Sequence, residues 1–193
     1  GVRRQFVQMG QRQVGRPQLE QRAADLALAH LHELPANAYL SINASPEMLL
    51  LESFANRISA VDSNRLVVEV TENVAVEDYD PLRRAVWQLR GCGVRLAIDD
   101  TGSGFAGFKH IVRLEPDFIK LDMFLVRGIA NEPMKRAVVA AMVAFAREIN
   151  ATLVGEGIET EEEQRVLREL GVHCGQGFHI ARPAPLGEAL LAP

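Results

Sequence analysis

The chain has 193 residues, 48% hydrophobic and 24% charged, which is enough to bury one core and marks no second one, so residues 1–193 read as a single domain. A formal net charge of −4 gives no basic footprint for DNA or RNA, and the longest apolar run, residues 137–146, is too short to span a bilayer. The opening Gly1-Val2-Arg3-Arg4-Gln5 has no secretory core behind it, and two cysteines, Cys92 and Cys174, without CxxC spacing, point to a reducing cytoplasm.

Apolar residues at helical spacing predict a helix from Pro17 to Glu33, closed by Pro35. Tyr39 to Asn43 reads as a strand that runs into Ser45-Pro46, a cap followed by a first-turn proline, and so into a helix from Pro46 to about Ser59. The Val-rich stretch Arg65 to Thr71 reads as a strand with Glu69 buried in it, and Asp80 to Arg90 as a helix capped by Asp80 ahead of Pro81. Val94 to Asp100 is the next strand, with a short helix from Phe105 to Ile111 after it; Phe118 to Asp122 is a strand and Pro133 to Ile149 a long amphipathic helix. Ala151 to Ile158 reads as a strand. Thr160 with Glu163 forms a capping-box pattern for a helix through Leu170, and Gly171 stops it. His173 to Phe178 is the last strand, and Pro185 to Leu191 reads as a closing helical turn.

Six strands, each followed by helical sequence, predict a parallel α/β fold. An open doubly wound sheet and a (β/α)₈ barrel both fit the alternation. Polar residues decide between them: Asn43, Glu69, Asp99, Asp100, Lys120, Asp122, Glu156 and Gln176 lie in or at the ends of all six strands, as the mouth of a barrel requires. The stretch 94–104, VRLAIDDTGSG, is central to this. Its adjacent acids followed by Gly102 and Gly104 suit a cation or phosphate site, while Asp-rich turns also arise simply because Asp caps helices.

The segments SINAS (41–45), VEVTE (68–72), IDDTGSG (98–104), IKLD (119–122), GEGIET (155–160) and QGF (176–178) resemble, in order and spacing, the EAL family of cyclic-di-GMP phosphodiesterases. The resemblance implies a TIM-like barrel, here lacking roughly its first two strands, that linearises cyclic-di-GMP to pGpG with two Mg²⁺ or Mn²⁺ ions and is inhibited by Ca²⁺. It implies metal ligation by Asn43, Glu69, Asp99 and Asp100, with Asp99 bridging. Lys120 would position the attacking water, with Glu156 as general base or second-metal partner. Asp122, Glu159, Gln176 and Pro183 would contact substrate or support the loop Gly102-Ser103-Gly104. It further implies a homodimer, and sensor or GGDEF-type domains in the parent protein. Oxygen donors without His or Cys independently suit hard divalent cations.

The sequence departs from the family in three places. No Glu-Ala-Leu segment precedes Asn43, residues 5–34 resembling instead the helix that follows that segment. Thr101 replaces the usual Phe of the loop, and Ala106-Gly107-Phe108 replaces its serines. A degenerate domain acting as a cyclic-di-GMP receptor, or as a protein-interaction module, is therefore the competing reading. The five histidines show no mutual ligand spacing, Met123, Met134 and Met142 read as core, and Glu161-Glu162-Glu163 reads as an acidic first turn.

Overall fold

The computed structural model describes residues 6–8, 17–71, 76–101 and 105–184. Its sheet has seven strands: β1 (Phe6–Gln8), β2 (Tyr39–Asn43), β3 (Leu66–Thr71), β4 (Arg95–Thr101), β5 (Phe118–Leu121), β6 (Thr152–Gly155) and β7 (Cys174–Gly175). They are hydrogen-bonded in chain order, and every pairing is parallel. A doubly wound sheet would reverse direction at a switch point; strict sequential order instead makes the sheet curl one way, as a TIM-like barrel does. β1 precedes the helix read from Pro17 to Glu33 and falls within residues 5–34, which resemble a family helix; the sequence reading places no strand there. Three residues carry too little pattern to reveal a strand.

The helices are α1 (Pro17–Ala29), α2 (Pro46–Leu49), α3 (Glu52–Ser59), α4 (Tyr79–Gly91), α5 (Phe105–Leu114), α6 (Met123–Val126), α7 (Pro133–Glu148) and α8 (Glu161–Leu170). The single helix expected from Pro46 to Ser59 is broken. Leu50 closes α2, and Leu51 is extended at φ −81° and ψ 122°. At about 100° per residue, Met48 and Leu49 would face roughly opposite to Phe54 and Ile58 in one continuous helix. All four are buried, so the break turns the second pair inward. Asp78, not Asp80, caps α4 by accepting from the Asp80 N–H, which leaves Pro81 in the first turn, where no intrahelical N–H bond is lost. α4 and α5 are joined by a 2.8 Å hydrogen bond between the Tyr79 hydroxyl and His110 Nδ1.

Two apolar cores follow from the period-two geometry of the strands. The larger lies between sheet and helices. The smaller holds Val67, Ala97, Phe118 and Val154, with Tyr39 and Cys174 against it. Each of those first four is two residues before a charged one: Glu69, Asp99, Lys120 and Glu156. The face that is apolar low in the barrel is therefore ionic at its C-terminal mouth. Arg95, two residues before Ala97, closes the opposite end by stacking over the Tyr39 ring at 4.0 Å.

The capping box expected for α8 is present, and it also fastens α6. The Glu163 carboxylate accepts from the N–H groups of Gly128 (2.8 Å), Glu159 (2.9 Å) and Thr160 (3.1 Å). Burial pushes its pKa up, but these backbone donors prevail and hold it below the usual carboxylate value. Glu163→Ala is expected to cost ~2 kcal/mol in denaturant unfolding at neutral pH. Because the folded pKa is depressed, this stabilisation is full above the unfolded value of about 4.3 and is lost as pH falls through the folded value. The wild-type and Glu163→Ala stabilities, measured by chemical denaturation, should therefore converge in acid.

Candidate active site

The Lys120 ammonium sits among three carboxylates: Glu156 Oε1 at 2.7 Å, Glu69 Oε2 at 2.9 Å and Asp99 Oδ1 at 3.0 Å. The lysine side chain is 4% exposed, and the acids are 8% exposed or less. β3, β4, β5 and the residue after β6 each deliver one of these groups. Burial alone would lower the lysine pKa, but Glu69, Asp99 and Glu156 outweigh it and raise it above its ordinary value. Glu156 is pushed up to about 7, first by burial and then by Asp99 and Glu69, against the pull of Lys120. Gln176 Nε2 donates to Glu156 Oε1 at 2.6 Å and so fixes that carboxylate.

Successive residues of a regular strand face opposite ways, so Asp99 and Asp100 would not normally share a site. Here the β4–β5 register shifts between Ile98 and Thr101, and Asp100 adopts φ 55°, a left-handed conformation uncommon outside glycine. The Asp100 N–H donates to Asp99 Oδ1 at 3.0 Å. The bulge re-aims the second aspartate, and one oxygen from each of Asp99, Asp100 and Glu156 falls within 4.8 Å of the others. That separation and the all-oxygen donor set fit a hard divalent cation. Four buried acids around one lysine leave excess negative charge for a cation to offset. Asn43, paired in register with Glu69, presents a buried Oδ1 with no hydrogen-bond partner among the described residues, which suits it as a neutral ligand.

The other predicted residues are placed differently. Asp122 follows the last residue of β5, and its carboxylate accepts from the Phe124 N–H at 2.6 Å and so caps α6. Exposed Glu159 pairs with Arg127, and Pro183 is exposed. Gly102, Ser103 and Gly104 lie outside the described residues, as does the turn expected from Pro185 to Leu191. The last two strands end sooner than the sequence suggests, although the Glu156 N–H still donates to the Leu121 carbonyl and the Gln176 N–H to the Gly155 carbonyl. Gly177 explains the second: a Cβ there would lie 2.2 Å from backbone atoms of Ile158. The sequence gives no role to Phe178, which is two residues beyond Gln176, 55% exposed, and has the Arg182 guanidinium 4.9 Å over its ring.

A parallel α/β barrel of TIM type with an acid-lined mouth is the class that fold and site define together. The chain belongs to the EAL domain family, whose model matches residues 4–183. It is 36% identical over 145 residues to the bifunctional diguanylate cyclase/cyclic di-GMP phosphodiesterase MucR of Pseudomonas aeruginosa, a match covering 74% of this chain and 21% of that protein. It is similar to Klebsiella pneumoniae BlrP1, solved as a manganese/cyclic-di-GMP complex at pH 9.0 (32% identity, TM-score 0.80) and as a calcium/cyclic-di-GMP complex at pH 8.0 (32%, 0.75). Both matches cover 87% of this chain and 45% of that one. The EAL domain of Mycobacterium smegmatis DcpA matches at 28% identity and TM-score 0.83, covering 90% and 82%. The chain thus spans about a fifth of MucR and under half of BlrP1. No helix among the described residues is long and apolar enough to cross a membrane.

Lys120→Ala strips three buried acids of their shared cation. In EDTA it should lose ~3–5 kcal/mol of stability, as a broken buried ion pair does. Mn²⁺ should restore part of the loss by binding the folded state. Thermal unfolding with EDTA and with Mn²⁺ measures both, and an EDTA-treated variant as stable as wild type would show that the ammonium does not carry the cluster.

Proposed function

We propose that this EAL-type domain, residues 1–193, binds cyclic-di-GMP at the barrel mouth and hydrolyses one phosphodiester to give linear pGpG. The observation that carries the reading is the convergence of Asp99, Asp100 and Glu156 beside Lys120 at the C-terminal ends of the strands. Asn43, Glu69, Asp99 and Asp100 would hold two Mg²⁺ or Mn²⁺ ions, with Glu156 adjoining the second. Such cations supply Lewis acidity toward the phosphodiester and neutralise its charge. Manganese and cyclic-di-GMP together in the BlrP1 complex support this choice.

The chain's own groups divide the remaining work. Glu156, with its pKa near 7, is poised to accept a proton from an attacking water, and Gln176 holds it in place. Lys120 stays protonated and offsets the negative charge that builds on the phosphoryl oxygens. Phe178 offers an aromatic face for a guanine, and Arg182 beside it a cation for the phosphate. Ca²⁺ is expected to inhibit, because its looser coordination holds water and phosphate less strictly. A homodimer, partner sensor or cyclase domains and a cytoplasmic location complete the proposal.

A receptor that binds without cutting is the second reading. The observation favouring it is β1, whose residues Phe6, Val7 and Gln8 pair with β2 yet bring no carboxylate to stand for the family's Glu-Ala-Leu ligand.

The test is pGpG formation by this chain with Mn²⁺, alongside calorimetric binding of Mn²⁺ and cyclic-di-GMP. Asp99→Asn should remove Mn²⁺ binding and at least ~100-fold of any turnover, since even an outer contact to a ligand is worth ~10- to 100-fold. Phe178→Ala should weaken nucleotide binding about 10-fold and leave Mn²⁺ binding alone, in line with ~1–3 kcal/mol for an aromatic base stack. Tight nucleotide binding without product selects the receptor reading. Unchanged Mn²⁺ affinity in Asp99→Asn refutes the metal assignment.

A further inference from the structure

One groove among the described residues lies away from the barrel mouth. It has a volume of about 540 Å³ and lies on the outer helical layer between α4 and α5, across the sheet from the carboxylates. Arg83, Trp87 and Arg90 form an i, i+4, i+7 row along it, Arg84 borders it, and Arg113 faces it from α5. Arg90 is engaged with Asp117 at 3.6 Å and with the Glu115 carbonyl. Arg83, Arg84 and Arg113 make no ion pair among the described residues, although Asp80 and Glu115 also line the groove. Trp87, the only tryptophan of the chain, is 78% exposed. On the other side of α4 a second groove of about 280 Å³ shares Arg84 and Gln88 and is mainly apolar, with Leu50, Ala55, Pro81 and Ala85 beside a single carboxylate, Glu52.

This composition is that of a recognition surface. Arg and Trp are enriched at protein interfaces and dominate their energetics, Lys is depleted there, and the groove has four arginines and no lysine. A pocket for a small planar anion would enclose the indole, whereas this one leaves it 78% exposed beside Arg84 and Gln88, which form the ridge shared with the second groove. Three guanidiniums with no ion pair among the described residues, on a chain of net charge −4, suit concentrated negative charge from outside. We propose that α4 with its two flanking grooves docks an acidic amphipathic helix of a partner protein. Its carboxylates would meet Arg83, Arg84 and Arg113, and its apolar face would cover Trp87 and reach Leu50 and Ala85. No residue of this surface belongs to the carboxylate site, so docking and metal binding are separable.

Trp87 makes the test direct, because all tryptophan emission of the 193-residue chain reports this groove. The chain is titrated with three synthetic peptides of equal length: an amphipathic Glu/Leu helix, its Lys/Leu counterpart, and an all-polar Glu/Ser peptide. The Glu/Leu peptide should blue-shift the emission, bind at least about 10-fold more tightly than either control, and weaken with added salt. The triple variant Arg83→Glu/Arg84→Glu/Arg113→Glu should lose about 10-fold or more, with its melting temperature and Mn²⁺ response unchanged. Trp87→Ala, followed by calorimetry, should lose a similar factor. Absence of any preference for the Glu/Leu peptide overturns the proposal. Two further outcomes also overturn it: a Trp87 shift produced instead by inorganic pyrophosphate, which assigns the groove to a small anion, and sedimentation showing self-association lost in Trp87→Ala, which assigns it to a second copy of the chain.

Discussion

One buried ammonium holds the interior of this barrel together. Lys120 lies within 3.0 Å of carboxylates supplied by three other segments of the sheet layer, and without it Glu69, Asp99 and Glu156 would be three buried charges with no counter-ion. Lys120 is thus the shared counter-ion of all three. One positive charge does not balance four acids. The Glu156 pKa rises to about 7 first because burial disfavours the charged carboxylate, and then because Asp99 and Glu69 add negative charge beside it.

The same arrangement explains why an apolar and an ionic layer share one face. Strand periodicity of two carries Val67 to Glu69, Ala97 to Asp99, Phe118 to Lys120 and Val154 to Glu156 in a single step up the barrel. The lower residues exclude water from beneath the charges, and Arg95 stacked on Tyr39 closes the far end. A polar group at the mouth is therefore solvated from one side only, which strengthens its interaction with anything that binds there.

Much of this was legible in the sequence because it depends on local pattern. The strands carrying Asn43, Glu69, Asp99 and Lys120 and the Thr160–Glu163 capping box follow from alternation, apolar runs and cap chemistry, and the structure has them. What escaped depends on tertiary packing. The break at Leu50–Leu51 is dictated by which face must be buried, not by a breaker residue. Asp80 before Pro81 has the form of a cap, but Asp78 has the geometry. Asp122 shares a sequence face with Lys120 only while the strand continues, and it stops at Leu121. β1 at three residues is fixed by its partner rather than by its own composition.

The bulge in β4 is the least legible feature and the one on which the metal reading most depends. A regular strand would send Asp100 into the helical layer, where an unpaired carboxylate costs several kcal/mol or takes up a proton. Shifting one residue between Ile98 and Thr101 and holding Asp100 at φ 55° avoids that cost but introduces backbone strain of order 1–3 kcal/mol. Such strain persists only where the surroundings over-determine it. β4 is the fourth of seven strands, paired on both sides, and Asp99 Oδ1 accepts both the Asp100 N–H and the Lys120 ammonium. An edge strand could relax the bulge by slipping; this one cannot without breaking the pairings of β3 and β5 at once. The centre of the sheet is thus where two adjacent carboxylates can be forced to the same site, and it is where the chain places them.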